Sequence, residues 1–71
     1  MQIDYINSDH KKIAATIAAA VEKGSLALKE GSKNWHGYRL NITGLTWSRN
    51  FQDGYQIEVY KNNTHILTAT I

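Results

Sequence analysis

The sequence predicts an α+β domain in which one N-terminal amphipathic helix packs on an antiparallel three-stranded meander. The N-terminal residues can add a fourth, short strand. Apolar residues recur at helical spacing after residue 10, period-two alternation follows Gly31, and turn-forming residues separate the alternating segments. The 71 residues have the length of one domain, 1–71, and contain no repeat or linker.

The first residues favour a strand followed by a helix start. Residues 1–6 alternate imperfectly and place Ile3 and Tyr5 on one face of a short strand. Ser8 or Asp9 then suits the first position of a helix, because each side chain can accept a hydrogen bond from a free backbone N–H of the first turn. An acidic group also suits the positive end of the helix dipole.

The helix is predicted from an apolar stripe that continues past residue 24. The stripe consists of Ile13, Ile17, Val21 and Leu28, with Ala14 and Ala18 beside it. Gly31 is the predicted C-terminal cap. Gly24 lies inside the predicted helix, where it costs about 1 kcal/mol relative to alanine, and it predicts either a kink or the close approach of a strand.

Three segments after Gly31 alternate with the period of a strand. Their predicted inward residues are Tyr38, Leu40 and Ile42, then Tyr55, Ile57 and Val59, then Leu67, Ala69 and Ile71. Turns are predicted at 52–54 and 61–64. A two-residue type I′ turn at Asn62 and Asn63 would pair Val59 with Ile66, whereas burial favours pairing Val59 with Leu67. The sequence therefore predicts an odd-length loop or an equivalent bulge.

Gly44 interrupts the first of these strands. A glycine inside a strand often marks a β-bulge, and a bulge here would turn Leu45 and Trp47 onto the inner face. We expect this arrangement because so small a domain seldom leaves both a tryptophan and a leucine exposed to solvent. Without the bulge, both side chains would join Arg39 on the outer face.

The segment 33–51 is the candidate binding region because it combines aromatic and basic residues and lacks an acid. Its candidate binding residues are Trp35, His36, Arg39, Trp47, Arg49 and Phe51. Aromatic and arginine side chains are enriched at interaction hot spots and can also stack on nucleic-acid bases. The alternative is structural: Trp35 and Phe51 would cover the two open ends of the core.

The residue types required for catalysis or metal binding do not occur in a recognisable pattern. There is no cysteine, the three histidines lack ligand spacing, and no glycine-rich phosphate loop is present. We therefore expect no enzyme activity, no cofactor and no bound metal. The N-terminus lacks the apolar region of a secretory signal and no segment could span a membrane, so we expect a cytoplasmic location without membrane contact.

Two functions follow from these observations. The first is a small non-enzymatic protein-binding module that acts as an inhibitor, adaptor or accessory subunit. Its small size and lack of cysteine suit an accessory protein of a bacterium or phage. The alternative is nucleic-acid binding through segment 33–51. The net charge of +2 is too small to favour it. Glu58, expected near the middle of the outer face, would repel phosphate and is instead expected to pair with Arg39 across the strands. A homodimer could form through the edge of the sheet, where the C-terminal strand is predicted to lie.

Overall fold

A computed structural model of the protein describes residues 2–5, 7–45 and 54–71. This part of the chain forms an antiparallel sheet of five strands with one helix on its inner face. The elements are β1 (Gln2–Tyr5), α1 (Lys11–Lys23), β2 (Gly31–Trp35), β3 (Tyr38–Leu45), β4 (Gly54–Lys61) and β5 (Thr64–Thr70). No helix in the described ranges has both the length and the apolar character needed to cross a membrane.

The α+β prediction is confirmed, but the predicted sheet was too small. The strand order is β1-β5-β4-β3-β2. The N-terminal strand forms and pairs with β5, so β5 lies inside the sheet, and the prediction of an open C-terminal strand is wrong. Among the described strands, β1 and β2 form the two edges of the sheet.

Strand β2 was missing from the prediction because its sequence has little strand character. Its residues include Gly31, Ser32 and Asn34, which have low β-propensity. The strand forms because His36 and Gly37, with φ of 49° and 81°, make a tight type I′ turn that returns the chain into β3. Trp35, which precedes the first of the three predicted strands, is the last residue of β2 and pairs with Tyr38.

The helical segment begins one position earlier than predicted, as a 3₁₀ turn, and the α-helix itself runs only from Lys11 to Lys23. Asn7, rather than Ser8 or Asp9, caps its N-terminal turn: the Asn7 Oδ1 atom accepts a hydrogen bond of 3.0 Å from the Asp9 N–H. A short 3₁₀ turn, Ser8–His10, then leads into α1.

Gly24 ends the helix and does not kink it, and the prediction of Gly31 as the cap is wrong. Gly24 has a φ of 76°, and its N–H reaches the carbonyl groups of Ala20 and Val21. Only glycine adopts this left-handed conformation without steric cost, so the chain leaves the helix at the first position where it can. Leu26 lies beyond the helix and is still buried, with 2% of its surface exposed.

The core lies between α1 and the inner face of the sheet, as the apolar pattern predicts. Its largest fully buried side chains are Ile17, Leu26, Leu40, Ile42, Ile57, Leu67 and Val59. Ile13 and Val21 flank this cluster and are half-buried. The helix therefore buries the predicted stripe most deeply at its centre.

The β4–β5 hairpin has both features that the sequence placed in conflict. Asn62 and Asn63 have φ of 52° and 64° and form the type I′ turn. The register then shifts between Val59 and Tyr60, so that Val59 pairs with Leu67. This confirms the predicted bulge-like arrangement. The shift also buries Ile66 next to Leu67, because the extra residue of a bulge lets two consecutive side chains point to the inner face.

The predicted bulge at Gly44 is wrong. The β3–β4 register runs without a shift from Arg39 opposite Tyr60 to Leu45 opposite Gly54. Strict alternation therefore puts Leu45 on the outer face, where it is half-buried. Trp47 and the predicted turn residues Gln52 and Asp53 lie outside the described residues.

Candidate functional site

The predicted binding residues do not share one surface. Trp35 belongs to the inner face of the sheet, His36 lies in the β2–β3 turn, and Arg39 belongs to the outer face. Trp47, Arg49 and Phe51 lie outside the described residues. The structure therefore separates Trp35 from Arg39, and a surface that uses Arg39 must be assembled from other neighbours.

Trp35 occupies the position expected of a residue that covers the end of the core. It is half-buried and packs against the buried cluster. Its ring also makes an edge-to-face contact with the ring of His36, with centroids 4.4 Å apart and an interplanar angle of 89°. These contacts favour the structural role for Trp35.

A chain of polar contacts crosses the outer face from β2 to β4. The Ser32 hydroxyl donates to Asn41 Oδ1 at 3.5 Å, and Asn41 Nδ2 donates to Glu58 Oε1 at 3.2 Å. The Tyr60 hydroxyl donates to Glu58 Oε2 at 3.3 Å. Both carboxylate oxygens of Glu58 therefore have a donor, which satisfies a half-buried charge.

The expected cross-strand pair between Glu58 and Arg39 is wrong. The register places Glu58 opposite Asn41, and Arg39 opposite Tyr60. Within the described ranges, no hydrogen bond or ion pair engages the Arg39 guanidinium. Arg39 is exposed, so its five N–H donors are available to a binding partner.

The Tyr60 hydroxyl is less acidic than an ordinary tyrosine hydroxyl. Partial burial, then the nearby Glu58 carboxylate and its hydrogen bond, raise the pKa of the Tyr60 hydroxyl above its ordinary value of 10.0, while the Arg39 charge opposes the shift. The ring of His65 lies 5.4 Å from the Tyr60 ring, and the His65 Nε2 atom lies 2.7 Å from the Thr68 hydroxyl. Tyr60 is therefore a neutral, oriented donor at physiological pH.

Arg39 and Tyr60 line a shallow depression of about 300 Å³ on the outer face. The other lining residues are Ser32, Asn41 and Asn63. A second depression adjoins it and extends toward the two type I′ turns, past Asn34 and Asn62. The two depressions offer arginine, amide and aromatic groups together, which can bind a carboxylate or the backbone of a peptide. We call the set of Ser32, Arg39, Asn41, Tyr60 and Asn63 the outer-face cluster.

Sequence reasoning found one member of the outer-face cluster as a site residue and missed four. The alternation of β4 had already placed Tyr60 outward with Glu58, so an outward aromatic next to Arg39 was a usable signal. Asn63 joins Arg39 and Tyr60 only because the β4–β5 hairpin is bulged. Ser32 comes close only through strand β2, which the sequence did not predict.

On the helix side, His10, Lys12 and Thr16 line another depression, in which His10 Nδ1 is buried without a hydrogen-bond partner from the described residues. The described residues contain no group of three or more His, Asp or Glu side chains placed to hold a metal ion.

Comparison of the chain with protein-family models, curated proteins and solved structures found no match.

Proposed function

We propose that this protein is a small non-enzymatic protein-binding module, an inhibitor, adaptor or accessory subunit, and that the outer-face cluster is its binding surface. The exposed Arg39 carries the proposal, because it lies beside Tyr60 without a hydrogen bond or ion pair within the described ranges. Arginine and tyrosine are among the residues that contribute most to protein interfaces. The cytoplasmic location stays a prediction, as do the binding roles of Trp47, Arg49 and Phe51.

The Glu58 contacts support this proposal by holding the surface in one arrangement. Because Glu58 accepts hydrogen bonds from both Asn41 and Tyr60, these two side chains are ordered before a partner arrives. A partner then loses less conformational entropy when it binds them. This is the property expected of a surface that recognises another protein.

The nucleic-acid alternative has less support from the outer face. Arg39 shares that face of the described sheet with two carboxylates, Glu58 and Asp4. A phosphate backbone needs an excess of positive charge, and this surface lacks it. The nucleic-acid alternative is an outcome of the experiment below.

Selection of peptides from a random twelve-residue phage-displayed library against the immobilised protein tests the proposal. Each selected peptide is titrated against the wild type, Arg39→Ala and Tyr60→Ala, with Thr43→Ala as an outer-face control on the same strand as Arg39. We expect the first two substitutions to weaken binding by about 1–2 kcal/mol, roughly tenfold, and the control to have little effect. Circular dichroism confirms that each variant is folded.

The same protein is titrated with single-stranded and double-stranded oligonucleotides at several salt concentrations. Tight oligonucleotide binding that falls steeply with salt, together with peptides indifferent to Arg39→Ala, would replace the protein-binding proposal with the nucleic-acid alternative. Peptides that all bind a folded Arg39→Ala, Tyr60→Ala double variant as well as the wild type would remove the outer-face cluster as the site.

A further inference from the structure

Strand β2 offers a row of backbone hydrogen-bonding groups at the edge of the sheet, where no other described strand pairs with it. It pairs with β3 on one side and is the last strand in the sheet order. The residues that flank a two-residue turn form a hydrogen-bonded pair, so Trp35 and Tyr38 exchange backbone bonds, and such pairs then alternate along the hairpin. It follows that Ser32 and Asn34 direct their N–H and C=O groups away from β3, toward the open edge.

The side chains along this edge carry a local excess of positive charge. Lys29 and Lys33 are exposed on or next to β2, and Arg39 lies opposite Asn34. The nearby Glu30 carboxylate accepts a hydrogen bond of 2.8 Å at its Oε1 atom from the Gly44 N–H. This carboxylate is therefore already engaged within the protein. The edge is therefore complementary to a negatively charged segment.

The edge is also continuous with the proposed binding surface. Ser32 belongs to the outer-face cluster, and Asn34 lines the adjoining depression together with Arg39 and Tyr60. A strand added to β2 would lie about 10 Å from β3, two strand spacings away. Arg39 from β3 and a glutamate from the added strand are both long side chains. They can meet across that distance over Asn34, the β2 residue opposite Arg39.

We propose that the partner supplies an extended acidic segment that adds to β2 as a sixth strand. One of its carboxylates pairs with Arg39 on the outer face, and a neighbouring carboxylate pairs with Lys33 on the inner face. Backbone hydrogen bonds to Ser32 and Asn34 provide affinity, and the charges of Arg39 and Lys33 provide selectivity for an acidic sequence. This inference rests on the proposed function and specifies the chemistry of the partner.

A second copy of the chain is a poorer occupant of the same edge. Pairing β2 antiparallel with β2 of another molecule over its full length puts Lys33 opposite Lys33, where like charges destabilise a cross-strand pair. Registers that avoid this contact pair fewer of the five residues. A lysine on an edge strand is a common obstacle to self-association of sheets, and it leaves the edge open to an acidic strand.

Defined peptides test the inference. The probe is the fluorescein-labelled peptide Thr-Val-Thr-Glu-Glu-Thr-Val-Thr, compared with versions in which Gln-Gln or Lys-Lys replaces Glu-Glu, by fluorescence anisotropy up to millimolar concentration. We expect the acidic peptide to bind at least tenfold more tightly than the glutamine version. Arg39→Ala, Lys33→Glu and Asn34→Pro should each weaken it at least fivefold, and Thr43→Ala should not.

Asn34→Pro removes an outward N–H without breaking a β2–β3 bond, and Lys33→Glu tests the same edge if the proline variant does not fold. Equal binding of the acidic and glutamine peptides overturns the inference. Failure of the acidic peptide to bind, or a β2-mediated dimer in sedimentation, overturns it as well. If peptides from the random library depend on Arg39 but tolerate both edge substitutions, the inference fails while the proposed function stands.

Discussion

Replacing Ile17 by alanine removes the helix side chain that the core buries most completely. Ile17 has none of its surface exposed, and it packs with the buried residues of the sheet. Truncating a buried isoleucine to alanine costs about 2–5 kcal/mol, through lost apolar burial and the cavity that remains. A domain of this length has a total stability of roughly 4–10 kcal/mol, so the loss is a large share of the whole.

Urea denaturation monitored by circular dichroism measures this loss, with Ile13→Ala as the matched control. Ile13 is the same residue type one helical turn earlier, and it is only half-buried. With a denaturant slope of about 1 kcal/mol per molar, a loss of about 3 kcal/mol lowers the urea midpoint by roughly 3 M, and the control should lower it by about half as much. Equal losses, or a larger loss for Ile13→Ala, would refute the assigned helix face.

Three further predictions concern the remaining features of the fold and the cluster. Gly24→Ala should destabilise the protein by about 1–2 kcal/mol in the same assay, because its φ of 76° suits glycine, and Gly24→Asn should cost less. Trp35→Ala should lower the free energy of unfolding by about 2 kcal/mol, because the ring covers the core. An unchanged melting temperature would contradict that role. Glu58→Gln should lower the pKa of Tyr60, measured by ¹³C NMR of the phenol ring. In the wild type, the stability that Tyr60 contributes should be complete below about pH 10 and should be lost as the pH rises through the raised pKa. A Tyr60 pKa that rises in Glu58→Gln would contradict the assigned cause.

The apolar pattern predicted the core well because it reports burial directly. The four-residue spacing of Ile13, Ile17 and Val21 identified the helix face, and the alternation of β4 and β5 identified the inner face of the sheet. Burial also decided the register of the β4–β5 hairpin correctly, since a one-residue slip would have exposed every inward side chain.

The errors arose where local chemistry allowed two structures. Gly24 and Gly31 are both suitable helix ends, and the chain takes the first one because Leu26 can reach the core without remaining helical. Strand β2 has no apolar alternation and depends on the turn at His36 and Gly37, so its own residues gave no periodic signal. Gly44 fits a regular strand as well as a bulge.

The candidate site was only partly predictable because it depends on tertiary pairing. Arg39 was identified from its residue type, and Tyr60 could have been identified from the alternation of β4. Ser32 lies near Arg39 only because strand β2 forms, and Asn63 lies near Tyr60 only because the β4–β5 hairpin is bulged. No local sequence pattern encodes either contact. The edge position of β2, on which the inferred partner depends, is likewise a property of the strand order.

Hydrogen exchange of the individual backbone amides, with and without the acidic peptide, tests the central claim most directly. In the free protein the Ser32 and Asn34 amides should exchange quickly, because they point toward the open edge of β2, whereas the Lys33 amide should be protected by its pairing with Leu40. Saturation with the peptide should slow exchange at Ser32 and Asn34 and leave the β1 amides of Ile3 and Asp4 unchanged. Protection that appears on β1, or no new protection on β2 at saturation, would contradict strand addition at this edge.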